Sequence, residues 1–411
     1  MIIKTYNKIA NCGLSLFDKE SGFQIFLEEE EGENPDAIVC RSKDLNDFTF
    51  SPSLQAVGRA GAGVNNIPVS DLTEKGVVVF NAPGANANSV VELVLAGMLE
   101  AARNLDKVAC WQVGLGIVGP AGPTTSGPGL KEMIEKKKKT FVGTELRGKI
   151  LSVMGLGAIG SRLVFVAQAL GMTVRGYDPQ INPTVLSSLQ DMSNFEYFSD
   201  MEVFLQEADF VSIHIPATPE NERLMNAEKI KLMAPGSVLL NFSRAEVVNV
   251  SDICDALAKK QLGRYVTDFV VGELLDCEEV LWFPHLGAST QEAEDNCATL
   301  ACNSVRDYLL TGNIKNSVNF PDISFPPAAG NARLVVLRKD SKSAEIWLNN
   351  IFPVHSQFHT VGSRGTAVTG IILDSVDALQ LEKIKAHEDI YSYRCLQSAV
   401  SSASVSSSAI A

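Results

Sequence analysis

Residues 149–171 read KILSVMGLGAIGSRLVFVAQALG: a short apolar run, a loop with three glycines, and a helical stretch directly behind it. Few patterns restrict a chain more. The first turn of a helix has free backbone N–H groups and a partial positive charge, and glycines let a pyrophosphate approach the main chain. The next apolar run, TVRGYD, ends on Asp178, 18 residues beyond Gly160. A carboxylate there accepts hydrogen bonds from adenosine ribose hydroxyls and repels a 2′-phosphate. The unit predicts a dinucleotide site at Gly155, Gly157 and Gly160 with NAD as cofactor. The alternative is a tight turn of purely structural purpose.

A second stretch with the same glycine spacing, VGLGIVGP (Val113 to Pro120), lacks that context. The run before it, LDKVACWQ, has helical rather than extended character, and Pro120 behind it cannot continue a helix. Residues 114–129 hold six glycines and three prolines, which is loop chemistry. This copy is predicted to bind no nucleotide.

Short Val- and Ile-rich runs alternate with helical stretches over most of the first 320 residues, the signature of α/β units around parallel sheets. Before residue 84 the named strands are DAIVC, LQAVGRAG and VVVFNAP, and Ser89 with Glu92 predicts a capping box opening a long helix. From Lys149 onward six strand-like runs fit a complete doubly wound sheet. PDISFPPAAGNA reads as a linker, and residues 332–396 predict strand, helix, two strands, helix and strand in a small α+β module. The serine-rich tail, 397–411, is predicted to be disordered.

The 411 residues allow two or three domains, and a net charge of −13 disfavours nucleic acid and anionic membranes as partners. No apolar run spans a bilayer, and neither a signal peptide nor a transit peptide is expected, which predicts a cytoplasmic protein. The eight cysteines include no C-x-x-C and no Cys/His cluster. Reduced, mostly buried thiols are expected, and no metal.

A nicotinamide enzyme acting on a hydroxy acid needs a cation for the substrate carboxylate, a group that exchanges the hydroxyl proton, and a carboxylate to tune that group. Arg244 closes LLNFSR, Glu273 lies five residues after Asp268, and His285 sits in FPHLGAST, each near a strand end. An arginine fork suits a carboxylate, and a near-neutral histidine can take and return a proton. Taken singly, a structural salt bridge and a loop histidine explain these residues equally well.

From Asn81-Ala82-Pro83 onward, and above all in GLGAIG, NFSRAEVV and PHLGASTQEAE, the chain resembles the D-isomer-specific 2-hydroxyacid dehydrogenase family. RAGAGVNNI, FNAPGANANSVVELVLAGML, FVGTELRGK, GYDP and NSVNFP resemble its members that act on 3-phosphoglycerate. The resemblance covers residues 1 to about 322. It implies a catalytic set of Arg244, Glu273 and His285. It also implies NAD contacts at Ala158, Ile159, Ile215, Phe242, Ser243, Asp268, Gly287 and Ala288, beside Gly155, Gly157, Gly160 and Asp178. For substrate it points to Arg59, Ala60, Gly61, Ala62 and Gly63, whose amides would hold the carboxylate. Arg41 and Arg59 are phosphate candidates, with surface salt bridges as the alternative. The Lys136 to Lys139 run reads as a solvated face.

The implied fold class is α/β. A Rossmann-type NAD domain (102–285) is inserted in a flavodoxin-like substrate domain (1–101 and 286–322), followed by an ACT-like module at 332–396. The Cys110 to Thr140 region would lie where family members build their dimer contact, making a homodimer or homotetramer. ACT modules that bind an amino acid usually carry a glycine after the first strand. Asp340-Ser341-Lys342-Ser343 stands there instead, so serine feedback is not expected. The implied function is NAD-dependent oxidation of 3-phospho-D-glycerate to 3-phosphohydroxypyruvate, the first step of phosphorylated serine synthesis. A glyoxylate or hydroxypyruvate reductase and an NAD-sensing, non-catalytic corepressor-like dimer are the alternatives.

Overall fold

A computed structural model describes residues 1–30, 34–114, 129–326, 332–353 and 357–397. The chain divides into two units, Met1–Asn86 with Thr290–Ala411, and Ala87–Ser289.

The first unit carries a parallel sheet of five strands: β1 (Ile2–Thr5), β2 (Gln24–Phe26), β3 (Ala37–Cys40), β4 (Ala56–Arg59) and β5 (Val78–Phe80). Their order, β2-β1-β3-β4-β5, is that of a flavodoxin-like doubly wound sheet. Strand β3, at the centre, and β5, at one edge, are buried along their whole length, as expected of parallel strands covered on both faces. Helix Gln291–Thr311 packs so closely that a Cβ at Gly58 of β4 would lie 2.7 Å from Val305.

The second unit holds seven parallel strands, one more than expected: β6 (Ile150–Met154), β7 (Thr173–Tyr177), β8 (Phe195–Phe198), β9 (Phe210–Ile213), β10 (Ser237–Asn241), β11 (Leu262–Thr267) and β12 (Val280–Trp282). The order β12-β11-β10-β9-β6-β7-β8 is the Rossmann sequence extended by a seventh strand, with its crossover reversing between β6 and β9. Ligands bind such sheets at the carboxyl ends of the strands, beside that reversal.

Helix Ala87–Arg103 belongs to the second unit, so the boundaries fall at 86/87 and 289/290 rather than at 101/102 and 285/286. Its apolar face (Val90, Val94, Met98, Ala101) shares one core with Leu151, Leu240 and Val266. The predicted capping box does not form. The helix begins two residues before Ser89, Glu92 accepts from Asn88, and the Ser89 hydroxyl is used elsewhere. LDKVACWQ is helical as expected (Leu105–Gly114), whereas residues 115–128, with most of the second glycine stretch, lie outside the described residues.

The C-terminal segment follows the predicted order: β13 (Ala332–Lys339), helix Lys342–Ile351, β14 (Gln357–Val361), β15 (Thr366–Leu373), helix Ala378–Lys385 and β16 (Ile390–Gln397). The sheet is antiparallel, in order β14-β15-β13-β16. This βαββαβ arrangement is ferredoxin-like. Leu334, Val336 and Ile371 meet Leu348 and Ile384 of the two helices and Phe352 just past the first. The opposite face (Val335, Leu337, Val368) joins Ile314, Phe320 and Phe325 in the core of the first unit. The expected linker is therefore not a spacer over 321–326, because Ile323 and Ile314 exchange both backbone hydrogen bonds at 2.9 Å. Gln397 ends β16, and residues 398–411 of the expected disordered tail lie outside the described residues.

All eight cysteines are free thiols, but only Cys40, Cys297 and Cys302 are buried, which corrects the expectation of mostly buried sulfur. Among the described residues no helix is long and apolar enough to cross a membrane, and no cluster of His, Cys, Asp or Glu could hold a metal.

Candidate functional site

The glycine loop after β6 divides its work by position. Gly155 turns the chain with φ of 89°, and a Cβ there would strike the His214 carbonyl at 2.5 Å. A Cβ at Gly160 would lie 1.9 Å from the Gly155 carbonyl, so this glycine lets helix Gly160–Ala169 close onto the strand. Gly157 is exposed with nothing within 4 Å, which leaves the main chain open to a ligand. Among the described residues the amides of Gly157, Ala158 and Ile159 have no acceptor. Together with the helix N-terminus they form an anion cradle.

Asp178, just past β7, accepts from the Leu156 amide through one carboxylate oxygen and from Gln180 through the other, both at 2.9 Å. The first bond seats the carboxylate beside the glycine loop. Beyond β9, Ile215 follows His214, whose Nε2 lies 2.8 Å from the Ser212 hydroxyl. The residue as a whole keeps some exposure, yet its Nδ1 is shielded from water and has no partner. Burial lowers its pKa to about 3, so the ring is neutral at neutral pH.

Beyond β10, the Phe242 side chain belongs to the core, against Phe283. Ser243 bonds to Asn241, and Arg244 donates to the Ser243 carbonyl at 2.7 Å. Among the described residues no carboxylate reaches the Arg244 guanidinium. A partly exposed cation with no counter-ion suits an anionic ligand.

His285 and Glu273 are both exposed, and His285 has φ of 56°, rare for a residue with a Cβ. The local structure holds that conformation. Asp268, buried at 3% exposure, accepts from the Leu286 and Gly287 amides, each at 2.7 Å. Ser89 donates to the Gly287 carbonyl at 2.8 Å, and the imidazole lies edge-on to Phe269 with ring centroids 5.0 Å apart. Burial raises the Asp268 pKa, and the two amides and His285 oppose that rise. The carboxylate of Asp268 therefore clamps the His285–Ala288 loop, a task the sequence does not show. Ser89 shares it, although its place ahead of Glu92 in the sequence suggests a helix cap. Among the described residues Glu273 is not within ion-pair distance of His285, so the expected tuning contact is not made.

In the first unit, Arg59 ends β4 and Ala60, Gly61, Ala62 and Gly63 follow it, and Arg41 follows β3, again at carboxyl ends. Arg41 pairs with Glu294 at 2.6 Å, the salt-bridge alternative. Arg59 donates to the Arg41 carbonyl at 3.1 Å and folds over Gly61. The amides of Ala60 and Gly61 are spent on Cys40 and Arg59, whereas among the described residues those of Ala62 and Gly63 have no acceptor. Lys136 bonds to Glu132 and Lys138 to Glu135 on an exposed surface, as expected of a solvated face. A cavity of about 590 Å³ opens at the other end of the Rossmann sheet, beside Lys149, Ser237 and Arg264, and no candidate residue lines it.

A parallel Rossmann sheet with free amides at a helix N-terminus, a carboxylate seated beside the glycine loop and an Arg, Glu and His beyond neighbouring strand ends fits a nucleotide-dependent dehydrogenase. Residues 125–287 match the family described as D-isomer specific 2-hydroxyacid dehydrogenase, NAD binding domain. The chain is 32% identical over 316 residues to the D-3-phosphoglycerate dehydrogenase of Escherichia coli, covering 73% of this chain and 69% of that one. It is 34% identical over 303 residues to that of Methanocaldococcus jannaschii, covering 72% and 53%. The chain belongs to the D-isomer specific 2-hydroxyacid dehydrogenase family. It spans about half the length of the Methanocaldococcus and Synechocystis relatives. The same fold occurs in the NAD+-bound 3-phosphoglycerate dehydrogenase of Entamoeba histolytica, with TM-score 0.60 and 22% identity over 78% of this chain and 98% of that one.

Proposed function

We propose that this chain catalyses NAD-dependent oxidation of 3-phospho-D-glycerate to 3-phosphohydroxypyruvate, which opens phosphorylated serine synthesis. The observation that carries the reading is the set Arg244, Glu273 and His285 at the ends of β10, β11 and β12, on the same edge of the sheet as the glycine loop. Bound NAD would supply a hydride acceptor for the carbinol carbon. His285 takes the hydroxyl proton as the hydride departs and returns it in the reverse direction. Arg244 binds the carboxylate or the developing carbonyl, and Glu273 swings toward His285 to stabilise its charged form. Gly157, Ala158 and Ile159 would hold the pyrophosphate of NAD and Asp178 its ribose, and Ile215, Ser243 and Ala288 would line it. Ala62 and Gly63 offer amides to the substrate carboxylate.

The pairing of Arg41 with Glu294 favours one competing reading, a reductase for unphosphorylated glyoxylate or hydroxypyruvate, because it neutralises one of two phosphate candidates. Turnover with phosphorylated and unphosphorylated substrates, followed by the absorbance of reduced cofactor, separates the two. We expect 3-phosphoglycerate to be oxidised and His285→Asn to lose about 10²- to 10⁴-fold in kcat while NAD affinity holds. Unchanged turnover in that variant would remove His285 from the role of base.

We further propose a homodimer or homotetramer built through helix Leu105–Gly114, which has no buried residue although Leu105 and Val113 are 50% and 59% exposed. Reduced thiols accord with a cytoplasmic enzyme. The ferredoxin-like sheet is read as an ACT-like module that serves assembly. Ser341, where a ligand-binding loop would carry glycine, instead caps helix Lys342–Ile351 and bonds to Asp389.

A further inference from the structure

We propose that Cys254 and Cys277 form a reversible disulfide that displaces the turn carrying Glu273. Cys254 lies in helix Val250–Ala258, and Cys277 lies in the turn that leads into β12. Their Sγ atoms are 3.6 Å apart, and each is 3.8 Å from the Glu273 carbonyl oxygen. Both residues are partly exposed, so a small oxidant reaches them. A disulfide of about 2.05 Å requires the sulfurs to approach by about a further 1.5 Å.

The two partners are not equally free to move. Cys254 is fixed in a helix whose Ile253, Ala256 and Leu257 are buried in the core. Cys277 ends a turn held by three local backbone bonds, Leu274 to Val271, Leu275 to Gly272 and Cys277 to Leu274, and anchored in the core by Leu274 alone among its residues 272–276. Gly272 has nothing within 4 Å of its Cβ position, and Glu273 and Leu275 are exposed. Closure therefore pulls the turn toward the helix and takes Glu273 with it. The opposite end of the same segment enters β12 and then His285.

A peroxide supplies the oxidising equivalents. One thiolate attacks a peroxide oxygen, the O–O bond breaks, and a sulfenic acid and one water result. The second sulfur then displaces the sulfenic oxygen as a second water and forms the S–S bond. Two thiols lose two electrons, the peroxide gains them, and a dithiol reverses the change.

The disulfide itself rests on geometry alone; its effect on turnover rests on the role proposed for Glu273. The test oxidises the full chain with hydrogen peroxide, blocks free thiols, and maps the unreduced digest by mass spectrometry. The peptides bearing Cys254 and Cys277 should be joined, with titratable thiols falling from eight to six and returning with dithiothreitol. Sulfinic acid at either residue without the joined species, or joining to other cysteines, would overturn the pair. Oxidation should lower NAD-linked turnover by about tenfold or more, as expected of a displaced site group, and leave Cys254→Ser unaffected. A confirmed crosslink with unchanged turnover would overturn the coupling to Glu273. If the reduced chain shows no NAD-linked turnover, the functional reading fails, and the mass map still decides the pair.

Discussion

His285 shows how a single residue is made ready by its neighbours. A positive φ at a histidine costs conformational energy, and it persists because Asp268, Ser89 and Phe269 over-determine the loop. The carboxylate of Asp178 acts more simply, as a fixed negative charge beside the glycine loop. Under the proposed function, replacing it (Asp178→Ala) would remove the repulsion of a 2′-phosphate and a partner of the ribose hydroxyls. The ratio of kcat/KM for NAD over NADP should fall by about tenfold or more. An unchanged ratio would show that another residue sets the preference. Both side chains stand in sequence motifs and were legible there. The clamp formed by Asp268 and Ser89 was not, because its partners lie 18 or more residues away.

At the scale of elements, three strands carry no clear sequence signal, for two physical reasons. β8 (FEYF) and β2 (QIF) are edge strands of four and three residues, and neither is buried enough to need a long apolar run. β1 is central but carries Lys4, which is buried at 7% exposure. Its ammonium is satisfied by the carbonyls of Leu27, Glu28 and Glu30. A lysine in a core strand is readable only once those carbonyls are in place. A second buried cation ties β11 to the helix at Leu105. Arg264, 5% exposed, pairs with Asp106 through two nitrogens and with Glu279, and bonds to Asn104. Arg264→Ala leaves Asp106 without its partner, while Glu279, 38% exposed, keeps Lys107, and the second unit should lose about 1.5–3 kcal/mol. Thermal unfolding with and without NAD checks this, and a loss below about 1 kcal/mol would place the network in the class of surface pairs.

For the whole molecule, the decisive feature is that both faces of the C-terminal sheet are covered. Its outer face meets the two helices, and Val335, Leu337 and Val368 complete the core of the first unit. Arg394 donates to the Leu309 carbonyl, Ser392 to that of Gly76 at 2.8 Å, and Thr366 to that of Asn319 at 2.7 Å. Truncation after Pro326 would expose Ile314, Phe320 and Phe325. We expect a lower melting temperature and aggregation rather than a clean two-domain enzyme; a truncated chain melting with the intact one would show that the module is an independent appendage. The glycine loop with its flanking strand and helix, and the order of the C-terminal elements, were determined by sequence alone, because they depend on contacts within a few residues and on periodicity. The set of Arg244, Glu273 and His285 was legible through the resemblance of the motifs that hold them. The unit boundaries, the clamp on His285, the pairing of Arg41 and the contact of Cys254 with Cys277 were decided by the tertiary structure. Each depends on which distant segments share a core, and hydrophobic burial, which has no sequence register of its own, settles that.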